Sequence, residues 1–273
     1  MRAWDCLLPV PADGVAPMNA LRSLGIAAGL CGIWQLLVWL TEAPHFILPG
    51  PLRVLASLHD NAGLLLQHAG VTLAEILLGL MLGVLLGLGS ALSLIWFRRL
   101  RAWMLPILVI SQSIPVFALA PVLMLWLGYG MASKVAMATL IIYFPVTAAC
   151  YDGLRHTPAA WLELARTLGA DRRTQLLQIR LPSALPALGS GLRVAASVAP
   201  IGAVVGEWVG SSTGLGYLML HANARMQVDL MFAALLVLSL MAVSLYFLID
   251  RLLRRLMPWQ SETLFDDVRE AQA

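Results

Sequence analysis

Charge is what this chain lacks most. Of 273 residues only 12% are charged, and Lys134 is the single lysine. With hydrophobic residues at 60% and a mean hydropathy of +0.82, the composition lies outside that of ordinary soluble domains. Cys6, Cys31 and Cys150 form neither a CxxC motif nor an even set, which argues against a zinc site and a disulfide framework. Cys31 and Cys150 sit in apolar runs and read as small core residues. His45, His59, His68, His156 and His221 show no metal-ligand spacing such as HExxH and read as surface or interface residues. Neither a metal nor a catalytic residue is therefore expected. A GxxxxGK[ST] phosphate loop is missing as well: Lys134 is followed by Val135, and GLGS at 87–90 lies inside an apolar run with no strand before it. The opening MRAWDCLLPVPADGVAPMNALR has a short apolar part broken by prolines and no small-x-small cleavage site, so the first long apolar segment is expected to remain.

Long apolar runs stand in place of charge. A bilayer core about 30 Å thick takes about 20 apolar residues in helical form. Six segments qualify, at 23–41, 71–96, 102–127, 133–151, 186–209 and 229–250. The third holds Pro106, Pro115 and Pro121, which are expected to break it, and the fifth holds Arg193 and Glu207. Continuous apolarity excludes the alternation of a barrel strand. The expected fold is all-α, a polytopic membrane protein with about six transmembrane helices over 23–256. A cytoplasmic segment 1–22 precedes them and a cytoplasmic tail 257–273 follows.

Arginine sets the expected orientation. With the N-terminus inside, Arg2, Arg22, Arg98, Arg99, Arg101, Arg155, Arg166, Arg172, Arg173, Arg180, Arg251, Arg254, Arg255 and Arg269 fall on the cytoplasmic side. Only Arg53, Lys134 and Arg225 fall outside. Both termini and the connection between spans four and five are then cytoplasmic.

Gly79, Gly83 and Gly87 in the second span, and Gly202, Gly206 and Gly210 in the fifth, recur every four residues. Such faces let helices approach closely, and packing within the subunit is preferred to a seam between two copies. Ser111, Gln112, Ser113 and Pro115 in span three, with Tyr143 and Pro145 in span four, place polar groups and helix breaks at membrane depth. Two readings stand: a cavity for a solute, or a proline kink whose freed carbonyls the hydroxyls satisfy. Phe117, Trp126 and Tyr143 could stack on a flat ring or simply pack. Arg193 is expected to snorkel toward the cytoplasmic end. Glu207 is expected to cap the SSTGLG turn near water, and Glu75 to face the outer interface.

WLELARTLGADRRTQLLQIRLP at 161–182 interrupts the apolar pattern. Thr157-Pro158 reads as a helix start, with a capping hydroxyl and proline in the first helical position. Trp161, Leu164, Ala165 and Leu168 share one face, with Glu163 and Arg166 away from it. Gly169 suits the left-handed position that ends a helix. Asp171 can cap a second helix over 172–180, which Pro182 is expected to end. The apolar face needs a cover, either the rest of the chain or a partner. A DNA-binding helix-turn-helix is set aside, because membrane spans tether both ends and three arginines are few for binding phosphates.

Glu163-Leu164-Ala165, then Gly169 six residues after the glutamate, then Ile179, Leu181 and Pro182, resemble a known loop. It is the "EAA…G…I-LP" loop of the membrane-spanning permease subunits of bacterial binding-protein-dependent ABC importers. Leu164 stands where that family usually has alanine. HFILPGPLRVL, SIPVFALAPVLMLWLGYG and GEWVGSSTGLGYLM extend the resemblance over 45–256, toward the nitrate, sulfonate and taurine branch. GYGMASK and GEWVGSSTGLGYLMLHANARMQVDLMFAAL are similar to permeases assigned to the hydroxymethylpyrimidine precursor of thiamine.

The resemblance implies a type I ABC importer permease fold and a transport subunit, not an enzyme, in the bacterial inner membrane. It implies no cofactor on this chain, with ATP and Mg used by a separate cytoplasmic ABC ATPase. A periplasmic or lipid-anchored binding protein would deliver the nutrient, and a second permease copy, as a homodimer, would complete the pathway. The loop 157–182 would dock the ATPase through Glu163, Ala165, Gly169, Ile179, Leu181 and Pro182, with residues 158–175 as the coupling helix. Ser111, Gln112, Ser113, Phe117 and Tyr143 are the candidate pathway residues. The implied substrate is the hydroxymethylpyrimidine thiamine precursor, with sulfonate, taurine or nitrate as alternatives. An ATP-independent secondary transporter and an intramembrane enzyme are the remote readings, the latter lacking a histidine deep in a span.

Overall fold

The computed structural model describes residues 16–42 and 44–257, so most of the expected segment 1–22 and all but the first residue of the expected tail 257–273 lie outside the described residues, Arg2 and Arg269 among them. The described elements are helices: α1 Ala16–Thr41, α2 Pro51–Asp60, α3 Ala62–Trp96, α4 Arg98–Ser113, α5 Val116–Leu127, α6 Met131–Arg155, α7 Ala159–Thr167, α8 Arg172–Thr174, a π turn Gln175–Arg180, α9 Leu181–Gly210, α10 Leu215–Ala224 and α11 Val228–Leu256. Four of these stretches are long and apolar enough to cross a membrane: α3, α6, the run Arg172–Gly210 that ends in α9, and α11. The apolar part of α1, Ala28–Thr41, is shorter.

The expected third span, 102–127, is not one helix. α4 and α5 together are long and apolar enough to cross a membrane but are bent by 101° at their junction. Pro115 causes the break. It brings no amide hydrogen, and it drives the preceding Ile114 out of the helical region, to φ −81° and ψ 120°. Pro106 and Pro121, also expected to break this segment, are carried inside α4 and α5.

α6 lies between α3 and α9, and small residues set the spacing. A Cβ on Gly79 would overlap the Ala138 side chain, and one on Gly202 would lie 2.6 Å from the Ala138 Cα. Gly83 and Gly87 continue the contact of α3 against Ile142 and Val146, and Gly206 rests on the backbone of Lys134. Ala195, Ala196, Ala199 and Ala203 line the α9 side with no exposed surface. In lipid, apolar surface gains nothing by leaving one apolar medium for another, so close van der Waals fit must hold the helices together. Both glycine rows are therefore seams within the subunit. At the end of the long helices away from α7, Val54, Leu65, Leu215, Leu218, Ala233 and Ala234 join α2, α3, α10 and α11 in a smaller cluster. Trp34 of α1 stacks there on Phe232, with ring centroids 5.8 Å apart. Cys150 is buried as expected, whereas Cys31 is exposed on α1 and is not a core residue.

The Ala138 crossing predicts opposite outcomes for two glycine-to-alanine changes. Gly202→Ala should destabilise the protein by about 1–3 kcal/mol through overpacking. Gly89→Ala has open space around its Cβ and should be neutral or stabilising by up to about 1 kcal/mol. Thermal unfolding in detergent compares them directly, and equal losses would rule out so close a crossing.

Candidate functional site

Two assemblies carry the chemistry of the chain, one at each end of the long helices. The first is the loop between α6 and α9. Thr157 does not cap α7: its hydroxyl donates back to the Leu154 carbonyl at 3.3 Å, and the extended Pro158 occupies the capping position. The helix ends at Gly169, at φ +82°. Gly169 N–H donates to Arg166 O at 3.0 Å, and Ala170 N–H to Ala165 O at 2.9 Å. This bond pair is the glycine-terminated closure that satisfies the last carbonyls of a helix. Asp171 accepts from the Thr174 amide at 2.9 Å, as expected of a cap. Hydrogen bonding from Thr174 holds the Asp171 carboxyl below the usual carboxylate range.

The second helix does not stop at Pro182. It passes from α8 through the π turn directly into α9. Leu181 N–H bonds back to Leu176 O, five residues earlier. The wider turn places Pro182 in the first turn of the α9 register, where its missing amide breaks no established ladder. Gln175 ties the π turn to the preceding bend by donating to Ala170 O at 2.8 Å.

The apolar residues of α7 divide. Leu162 and Ala165 are buried against the chain, but Trp161, Leu164 and Leu168 are 55%, 62% and 79% exposed. The expectation that Ala165 shares their open face is thus corrected. Glu163 and Pro182 are exposed, Ile179 is half-buried, and Leu181 packs at the edge of the main core.

The second assembly is largely missed by sequence reasoning. Glu207 does cap the SSTGLG turn, but it is 1% exposed and out of reach of water. Its carboxylate accepts from the Thr72 hydroxyl at 2.6 Å, the Tyr217 amide at 3.3 Å and, closer still, the Gly216 amide. The Leu215 amide donates to Thr72 Oγ at 2.8 Å, and the Gly214 amide to His68 Nδ1 at 2.9 Å. All four orphan amides at the start of α10 are thereby satisfied by side chains. Gly214, at φ +111°, leaves no room for a Cβ beside this carboxylate. His68 is thus a partner of the turn rather than a surface residue. Glu75 is fully buried instead of facing the interface, and it pairs at 2.8 Å with Lys134, itself 4% exposed and not in an outer loop. Arg193 bonds Asp250, near the end of α11, at 2.7 Å, and Asp250 also holds Arg254 at 2.8 Å. Oppositely charged residues isolated in separate apolar runs were the available signal, since charge inside a membrane seeks a partner.

Of the candidate pathway residues, Ser111, Gln112, Ser113 and Phe117 come together as exposed residues on either side of the Pro115 break. Ser111 Oγ donates back to the Leu108 carbonyl at 2.8 Å. Tyr143 is directed into the seam between α3 and α6, where its hydroxyl donates to Ser90 at 2.9 Å.

The chain matches the family described as binding-protein-dependent transport system inner membrane component over residues 79–261. It is 63% identical to a probable ABC transporter permease protein of Haemophilus influenzae, over 87% of this chain and 97% of that one. A formylaminopyrimidine transport permease of Halalkalibacterium halodurans is 38% identical, over 84% of this chain and 92% of that one. Among solved structures, a chain of the inward-facing MetNI methionine ABC transporter superposes with a TM-score of 0.64 at 21% identity, covering 72% of this chain and 97% of that one.

The buried Glu75–Lys134 pair predicts non-additive mutations. Lys134→Met leaves Glu75 uncompensated and should cost about 3–5 kcal/mol. The double change Glu75→Leu with Lys134→Met should recover most of that loss. Unfolding midpoints of Lys134→Met, Glu75→Leu and the double variant test this, and a double variant as unstable as the sum of the two singles would refute the pairing.

Proposed function

Because the chain belongs to the binding-protein-dependent transport system inner membrane component family, and is the permease subunit of an ABC importer rather than an enzyme, we propose that α7 is the docking helix for a separate ATPase. The observation that carries this reading is the split of α7, with Leu162 and Ala165 anchored while Trp161, Leu164 and Leu168 stay uncovered. A helix stop at Gly169 and a capped restart at Asp171 hold that face in a fixed presentation. Glu163 supplies a polar contact beside it, and Ile179, Leu181 and Pro182 join the loop to α9. The ATPase binds and hydrolyses ATP with Mg, and this chain holds no nucleotide. The arginine distribution supports a cytoplasmic position for the loop and both termini, in a multi-pass inner-membrane protein. Four described stretches, with α4 and α5 as one bent span, supply five of the six spans over 23–256, and α1, whose apolar part Ala28–Thr41 is shorter, would supply the sixth.

The substrate is a small nutrient delivered by a periplasmic or lipid-anchored binding protein and passed between two copies of this chain. The wall of the pathway is the broken helix at Pro115, with Ser111, Gln112, Ser113 and Phe117 available to a solute, while Tyr143 is held in the seam between α3 and α6. Hydroxymethylpyrimidine, the thiamine precursor, is the substrate favoured by the resemblance of the GYGMASK and SSTGLG segments. The 38% identity to a formylaminopyrimidine permease also supports a pyrimidine ring. Sulfonate, taurine and nitrate are the competing substrates.

Leu164→Asp or Glu163→Lys should weaken ATPase co-purification by about 10-fold or more, since one buried leucine contributes about 1.5–3 kcal/mol. Uptake should be lost while membrane insertion is unchanged. Normal transport by both variants would remove the docking role. Radiolabelled hydroxymethylpyrimidine uptake, competed by taurine and nitrate, identifies the substrate class; competition by taurine would move the assignment to the sulfonate branch.

A further inference from the structure

Beneath α7, on the side away from its open face, lies a cavity of about 320 Å³ lined by Ile95, Trp96, Arg166, Arg172, Gln175, Leu176 and Arg180. Arg166 lies one helical turn after Leu162, on the flank of α7 opposite Leu164 and Leu168, where it lines the cavity while remaining exposed. Arg172 comes from α8 and Arg180 from the last position of the π turn, so three separate turns bring one guanidinium each to the same space. No carboxylate lines the cavity. Among the described residues, the ion pairs join Lys134 to Glu75, and Arg193 and Arg254 to Asp250, leaving these three arginines outside them. Asp171, the acid of the same loop, is committed to the Thr174 amide. Three arginines lining one cavity, with no carboxylate among the lining residues, make it attractive to an anion.

The apolar wall indicates where that anion comes from. Trp96 ends the 35-residue α3 and is 49% exposed, the position and residue type that mark the level of lipid headgroups at the end of a span. Ile95 beside it offers an apolar surface. A guanidinium fork matches phosphate oxygens in geometry, and the cytoplasmic leaflet is the anionic one. We propose that this cavity binds the phosphate headgroup of an anionic phospholipid, which seats the docking loop against the membrane surface. The proposal rests on the cytoplasmic placement of that loop.

Native mass spectrometry of the delipidated full-length permease, titrated with phosphatidylglycerol, tests it. Losing each arginine should weaken binding about fivefold, and the triple change Arg166→Gln, Arg172→Gln, Arg180→Gln should weaken it on the order of 100-fold. Arg251→Gln, an exposed arginine of α11 outside the cavity, should leave binding unchanged, and phosphatidylcholine should bind no better to wild type than to the triple variant. The proposal is overturned if the triple variant binds phosphatidylglycerol like wild type, if Arg251→Gln loses as much, or if millimolar inorganic phosphate displaces the lipid. A parallel ATPase pull-down in lipid-free detergent separates the two readings. The triple variant should still capture the ATPase there, and a loss of capture with unchanged lipid binding would make the arginines protein contacts instead. Failure of wild type itself to capture the ATPase would remove the docking role and leave the lipid titration to be read by itself.

Discussion

How near α3 and α9 come to α6 at Ala138 decides most of the architecture of this chain. Gly79 and Gly202 meet that alanine from two sides. One helical turn outward along the same three helices lie Glu75, Lys134 and Gly206, and Glu207 comes directly after. The close crossing therefore places a lysine and two carboxylates in one buried region. Had the helices stood apart by the width of two leucines, each charge would face hydrocarbon alone, at a cost of several kcal/mol. The same small residues that permit contact thus make the polar network possible, and the network in turn fixes the start of α10.

The contrast with the lipid-facing surface has the same origin. α11 carries the highest mean hydropathy of the long helices, 2.5, yet only 17% of its most apolar stretch is buried. Its leucines are there for the bilayer, not for the core. Where the chain must be specific, it uses alanine, glycine, paired charge and capped helix ends. Where it must only be solvated by hydrocarbon, it uses bulk.

The long apolar helices and the ends of α7 and α8 are legible in the sequence because each depends on local signals: run length, a glycine at a left-handed position, an aspartate ahead of a helix. Gly169 and Asp171 behave in the structure as their neighbours along the chain suggest. Sequence and structure part where two distant segments decide the outcome. Glu75 and Lys134 are 59 positions apart, and nothing near either names the other. Pro182 misleads for a different reason. Proline is a sound stop signal in a regular α-helix, but a π turn just before it changes the hydrogen-bond frame, and hydrophobic periodicity does not announce such a turn. Pro106 and Pro121 show the same limit: both lie inside continuous helices, and of the three prolines expected to break this segment only Pro115 bends it sharply.

The π turn has a mechanical side. Because it lets the helix run past Pro182, Arg172 and Gly210 belong to one continuous helical rod of 39 residues, about 58 Å at 1.5 Å per residue. One end carries the loop, and the other runs directly into the turn clasped by Glu207 and His68. A rod of that length multiplies small rotations: a tilt of about 5° about one end displaces the other by about 5 Å. Had the helix ended where proline suggested, a flexible joint would have absorbed the tilt. Continuity makes this run a stiff link that would carry a tilt at the loop end to the turn at Gly214 rather than absorb it.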